Sequence, residues 1–284
     1  MEKVLVLGNK GMLGHVLYKI FQENSNNKKY DVIGVNRSVD NKDSNSYTLD
    51  VLKLDELEQF IKNKQPNYIV NCIGSLVEAS INNPSLAIQT NSLLPHFLNE
   101  ISEKYSFKLI HISTDCVFDG SKGRYKESDK KTETNYYGLT KNLGEINNDR
   151  SLTIRTSIIG PEIKLKTTGL FDWVISQKCN TIHGYSRAIW SGLTTIELAK
   201  FIIWSLDKEI TGIVHATNSE GISKYDLIKI INDVFYLNID LIKNNDYKID
   251  KSLLNEKIKN YNFPNYTQMI NEMKIWIDNH NYKI

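Results

Sequence analysis

The sequence predicts an α/β protein built on a doubly wound parallel sheet, followed by a smaller mixed α/β domain. Two observations carry this. Through the first half, short β-branched runs alternate with helical stretches, the pattern of a parallel sheet covered on both faces. After Gly160-Pro161 that alternation weakens, and irregular stretches bearing glycine and aromatic residues appear.

Five strands are expected, at residues 4–7, 32–35, 68–71, 109–113 and 152–156. Each is short, apolar at nearly every residue and bounded by polar or glycine signals, as buried parallel strands are. Helical periodicity fills the gaps at 12–23, 54–63 and 93–105. In the second half His183-Gly184-Tyr185 and Trp190-Ser191-Gly192 read as irregular, with helices at 195–206 and 224–235. The boundary falls at 157/158: residues 1–157 as the dinucleotide-binding domain, and 158–284 mainly as the substrate domain, with segments able to return to the first. A substrate would sit in the cleft between them.

Composition narrows the function classes. Hydrophobic residues at 40% and charged residues at 24% describe an ordinary folded protein. A net charge of +2 supplies no field for nucleic acid. The N-terminal run lacks a basic region followed by a cleavage site, and no stretch reaches the ~18 apolar residues of a membrane span. Cys72, Cys116 and Cys179 are odd in number and form no CxxC pair, which points to a reducing, cytoplasmic compartment without disulfide or metal.

Four motifs carry chemistry. Gly8-Asn9-Lys10-Gly11-Met12-Leu13-Gly14 follows the first strand and opens a helix. Glycines there allow a tight turn and close approach of the backbone to a pyrophosphate, which the helix N-terminus stabilises. The spacing is GxxGxxG rather than GxGxxG. At the end of the second strand, where an acid would bind a ribose 2′-hydroxyl, stand Asn36, Arg37 and Ser38. Arg37 and Ser38 suit a 2′-phosphate, so NADPH is favoured and NADH is the second choice.

The third motif is Tyr137-Gly138-Leu139-Thr140-Lys141. Residues four apart share a helix face, so the lysine cation is expected beside the phenol, favouring phenolate and a useful acid. Tyr136 has no such partner. The fourth is Ser113-Thr114-Asp115-Cys116 at a strand's C-terminal end, where doubly wound sheets place ligand contacts. A hydroxyl there can bond a reacting carbonyl, although a Ser/Thr/Asp string also serves as a simple cap.

In this order and on these elements, the motifs resemble the extended short-chain dehydrogenase/reductase family, and within it the dTDP-4-dehydrorhamnose reductase group. The resemblance takes in Asn71-Cys72-Ile73-Gly74, Gly144-Glu145 and Arg155-Thr156-Ser157 as well. It implies a Rossmann-type sheet and NADPH-dependent reduction of the 4-keto group of a nucleotide-activated 6-deoxyhexulose. Thr114, Tyr137 and Lys141 would be its catalytic triad, with Tyr137 the proton donor and Lys141 on the nicotinamide ribose. Asp50 and Val51 match the adenine-contacting position, and Cys72, Ile73 and Gly74 join the cofactor site.

Departures from that group lie at Cys116, where an aromatic residue is usual, and at Ile158-Ile159-Gly160, where a tryptophan-bearing string is usual. The strings 188–192 and 250–253 are similar to a branch acting on UDP-activated acetamido-deoxysugars, so the expected substrate is UDP- or dTDP-linked. Asp115, Cys116, His183, Arg187 and Trp190 are the candidate substrate contacts. Cys116 with His183 also suits a bifunctional 3-epimerase/4-reductase. A dehydratase would need an acid where Cys116 stands. A non-catalytic dinucleotide-binding regulatory subunit is the reading from another class. A homodimer is allowed by the sequence without being specified by it.

Overall fold

The computed structural model describes residues 1–23, 29–38, 43–163 and 169–282. In chain order the first half gives β1 (Glu2–Leu7), α1 (Met12–Glu23), β2 (Tyr30–Asn36), β3 (Ser46–Thr48), α2 (Leu54–Lys64), β4 (Tyr68–Asn71), α3 (Val77–Asn82) and α4 (Pro84–Ala87). A π-helical turn (Ile88–Leu93) leads into α5 (Leu94–Lys104), β5 (Lys108–Ile112), a 3-10 turn (Asp115–Val117), α6 (Tyr136–Leu143) and β6 (Leu152–Arg155). The second half adds β7 (Ile158–Ile159), α7 (Leu170–Ser176), β8 (Thr181–Trp190), β9 (Leu193–Thr194), α8 (Thr195–Leu206), β10 (Gly212–His215), β11 (Ile222–Ser223), α9 (Lys224–Phe235), β12 (Asp240–Asp250) and α10 (Tyr266–Asn279).

Seven strands form one parallel sheet in the order β10-β6-β5-β4-β1-β2-β3. Its central strands β1, β2 and β4 are mainly apolar because both faces are covered. On β1, Val4 and Val6 join one core with α1 and α8, while Leu5 and Leu7 join another with α2 and α5. The chain runs outward from β1 through β2 and β3, then restarts on the other side at β4. That switch point opens a crevice beyond the strand C-termini, where such sheets bind ligands.

The expected Rossmann-type sheet is present, with differences at its edges. A short strand, β3, extends one edge, and β10 from the second half closes the other by pairing with β6 from Gly212↔Leu152 to His215↔Arg155. The stretch at 183–185, read as irregular, lies inside β8, a continuous ten-residue strand. Its buried face is Ile182, Gly184, Ala188 and Trp190, and the small residues hide the alternation. They are small because α9 comes close: a Cβ on Gly184 would meet the backbone of Tyr225. The neighbouring β12 is mostly exposed and polar, so no hydrophobic pattern marks it. Among the described residues, no helix is long and apolar enough to cross a membrane.

Candidate active site

The glycine-rich loop sits at the switch point. Gly8 has φ +85°, a conformation that L side chains rarely adopt, and its carbonyl accepts from Gly11 N at 2.8 Å. A Cβ on Gly14 would fall on the Gly8 carbonyl, so the first turn of α1 can press against the loop only with glycine there. The first N–H groups of α1 have no intrahelical acceptors and face the crevice end of the sheet. The Cys72 amide bonds Leu7 O at 3.1 Å, which brings Cys72, Ile73 and Gly74 alongside the loop. This arrangement fits a dinucleotide pyrophosphate. Beneath it, the His15 ring bridges Gly11 O and the Tyr282 hydroxyl, both at 2.8 Å.

At the end of β2, Asn36 is buried and turned inward. Its amide donates to Asn9 Oδ1 at 3.0 Å, and its oxygen accepts from the amide and hydroxyl of Ser38. Asn36 therefore shapes the loop rather than facing a ligand, whereas Arg37 and Ser38 are exposed beyond it. Asp50 is exposed as well, accepting from Leu52 N, and Val51 belongs to the core.

Thr114, Tyr137 and Lys141 converge where β5 ends. Thr114 Oγ1 accepts from Cys116 N at 3.1 Å, capping the 3-10 turn, and donates to Asp115 Oδ1 at 3.1 Å. The capping and carbonyl-binding readings of this hydroxyl are thus compatible, because capping uses only its lone pair. The Tyr137 phenol lies near enough to Thr114 for the hydroxyl to oppose the rise in its pKa. Gly138 lets α6 approach so closely: a Cβ there would strike the Cys116 carbonyl and the Glu133 side chain.

One sequence expectation needs correcting. Lys141 shares the helix with Tyr137, but its ammonium turns under the helix and donates to Ile112 O at 2.6 Å. Burial raises the Tyr137 pKa, with Cys116 adding to the rise and Thr114 opposing it; the lysine charge does not pull it down. Burial also lowers Lys141 to about 8. Cys72 beside it is pushed up to about 12, again by burial.

Cys116 is held protonated, since burial and the Asp115 charge push its thiol up to about 12. Burial raises Asp115 too, opposed by Lys251 and Lys224. The structure does not bring His183 to this centre. His183 is exposed on β8 and seven residues from Trp190, roughly 23 Å at strand rise. Arg187 is exposed on the same strand, whereas Trp190 is buried and donates to Ser157 Oγ at 2.8 Å. Instead, two lysines act on Asp115 and Cys116: Lys251, from the 250–253 string but not singled out as a site residue, and Lys224, which the sequence reading passed over. Lys251 pairs with Glu133 at 2.8 Å, and Lys224 lies with its ammonium 5.2 Å from the Trp190 ring centroid. The available signal for Lys224 was its place directly after a helix-capping serine, where cations are disfavoured.

The Gly144-Glu145 and Arg155 motifs prove to be scaffold. Arg155, 1% exposed, grips Glu145 with Nε and Nη2 at 2.7 and 2.9 Å, and Ser113 donates to the same carboxylate at 2.7 Å. This buried pair pins the end of α6 to β6, and so holds Tyr137 over the strand ends.

Comparison with known proteins agrees with this geometry. The chain is 30% identical over 252 residues to methionine adenosyltransferase 2 subunit beta of Pongo abelii, covering 83% of this chain and 73% of that one. A hypothetical dTDP-4-dehydrorhamnose reductase from Sulfolobus tokodaii superposes with a TM-score of 0.76 at 30% identity, covering 89% and 92% of the two chains. The fold also matches dTDP-4-dehydrorhamnose reductase from Bacillus anthracis, solved in complex with NADP, with a TM-score of 0.81 at 20% identity over 97% and 99%. The family described as RmlD substrate binding domain matches residues 1–249. The chain therefore belongs to the RmlD substrate binding domain family, on an extended short-chain dehydrogenase/reductase fold.

Proposed function

We propose that this protein is an NADPH-dependent reductase of the 4-keto group of a nucleotide-activated 6-deoxyhexulose, UDP- or dTDP-linked. The observation that carries the reading is the convergence of Thr114, which caps the 3-10 turn after β5, with Tyr137 and Lys141 of α6, whose ammonium donates to Ile112 O at the end of that strand. The NADP complex of the Bacillus anthracis relative supports a nicotinamide dinucleotide on the Gly8–Gly14 loop. Exposed Arg37 and Ser38 suit the 2′-phosphate.

The bound nicotinamide supplies the hydride. Thr114 donates to the keto oxygen and turns from Asp115 to do so, as its cap needs no proton. Tyr137 delivers its proton to that oxygen, completing the alcohol. A raised pKa keeps the phenol protonated until negative charge develops on the ketone.

Plain reduction is favoured over epimerisation with reduction. A thiol near 12 is a poor base, and His183 lies far along β8. In D₂O the product should carry no deuterium at the carbon beside C4; rapid uptake abolished by Cys116→Ser would make the protein bifunctional.

The Pongo abelii relative favours one other reading, a non-catalytic subunit that keeps the dinucleotide fold. NADPH consumption measured against dTDP-, UDP- and GDP-linked 4-keto-6-deoxysugars separates the two. Turnover with one of them supports the reductase; tight NADPH binding with no turnover on any supports the subunit.

A further inference from the structure

One cation near the triad is placed where elementary electrostatics gives it little reason to be. Lys224 is the first residue of α9, directly after the capping Ser223, where the positive end of the helix dipole repels a cation. Burial disfavours its charge further, opposed by the more distant charge of Asp115. Lys251 pairs with Glu133, but among the described residues Lys224 has no carboxylate at ion-pair distance. Its ammonium lies 5.2 Å from the Trp190 ring centroid, and Trp190 is itself locked by its bond to Ser157. Local rules broken together at one residue mark a functional position more often than a structural one.

Resting on the reductase reading, we infer that Lys224 is a substrate-holding residue whose ammonium donates to an oxygen of the sugar ring. It thereby sets the keto carbon beside Thr114 and Tyr137. The groups it faces, Asp115 and Cys116, follow Thr114 in the chain, so a ligand oxygen at Lys224 belongs to the part of the substrate that reacts. In a hexopyranose C4 lies across the ring from C1, which carries the diphosphate. A cation beside the C4 end therefore meets sugar oxygens, and the diphosphate is held elsewhere.

The test is calorimetric titration of the NADP-loaded protein with dTDP-rhamnose or UDP-2-acetamido-2,6-dideoxyhexose, whichever the wild type binds, and with the matching nucleoside diphosphate. Lys224→Met should weaken the sugar nucleotide by about 10- to 100-fold, the worth of one charge-assisted hydrogen bond. Nucleoside diphosphate and NADP affinities should be unchanged, and Lys224→Arg should restore most of the loss. Unchanged sugar-nucleotide binding in Lys224→Met overturns the inference. Equal losses for sugar nucleotide and nucleoside diphosphate overturn it too, making Lys224 a diphosphate anchor. A lowered Tm that Asp115→Asn reverses, with sugar affinity intact, would reduce Lys224 to a counter-charge. If Lys224→Met does not fold, Lys224→Gln is read the same way. A wild type that neither binds nor turns over any of these sugars sinks the reductase reading and this inference together. An active wild type with a silent Lys224→Met sinks the inference alone.

Discussion

The Lys141 ammonium donates to the main-chain carbonyl of Ile112 at 2.6 Å, tying the helix that carries Tyr137 to the end of the strand that leads into Thr114. The bond sets the distance between proton donor and hydroxyl, and it confines a cation where burial opposes its charge.

Stability should record that confinement. Burial lowers Lys141 from 10.5 to about 8. Between those values the unfolded chain binds more protons than the native one, so stability rises with pH there. Below about pH 8 the buried charge destabilises the fold in full. Urea midpoints of the wild type should rise relative to Lys141→Met between pH 8 and pH 10. A difference independent of pH would mean the ammonium is solvated.

Tyr137→Phe keeps the ring and removes the proton. Turnover should fall by about 10²–10⁴-fold, the usual contribution of general-acid catalysis, with NADPH affinity retained. Tyr136→Phe, on the exposed side of the same helix, should leave turnover within a few fold. Comparable rates in both variants would remove Tyr137 from the chemistry.

Arg37→Asp should weaken NADPH far more than NADH, because it replaces a phosphate partner with a like charge. Fluorescence titration of both dinucleotides checks this. Equal loss, or none, would show that Arg37 does not face the ribose.

Glu145→Gln leaves the Arg155 guanidinium, 1% exposed, without its carboxylate. Removing one side of a buried pair typically costs about 3–5 kcal/mol. Urea denaturation should show a loss of that size, and turnover should fall only as the folded fraction falls. A loss near zero would mean that Lys131 or solvent takes over the partnership.

Much of this was legible because parallel strands buried on both faces are written as unbroken apolar runs, and β1, β4 and β6 needed no more than that. What escaped has physical causes. The buried face of β8 uses Gly184 and Ala188, and β12 is polar because it lies at an exposed sheet edge. Spacing placed Tyr137 and Lys141 on one helix correctly. It could not show that Ile112, remote in sequence, captures the ammonium. His183 misled because a motif gives order along the chain, and a ten-residue strand converts order into distance. Lys224 reaches Asp115 across 109 residues, beyond any local pattern.

The pairing of β10 with β6 also bears on how the chain must be made. Leu152 pairs with Ile110 on one side but meets its second neighbour only when Gly212 arrives, so β6 waits through synthesis with one row of amides and carbonyls unpaired. An open strand of that kind is a template for another copy. A polypeptide cut after residue 157 would keep that edge permanently open and tend to self-associate. Limited proteolysis between 157 and 212 should therefore yield nicked material whose pieces stay together, and isolated 1–157 should need a solubilising partner.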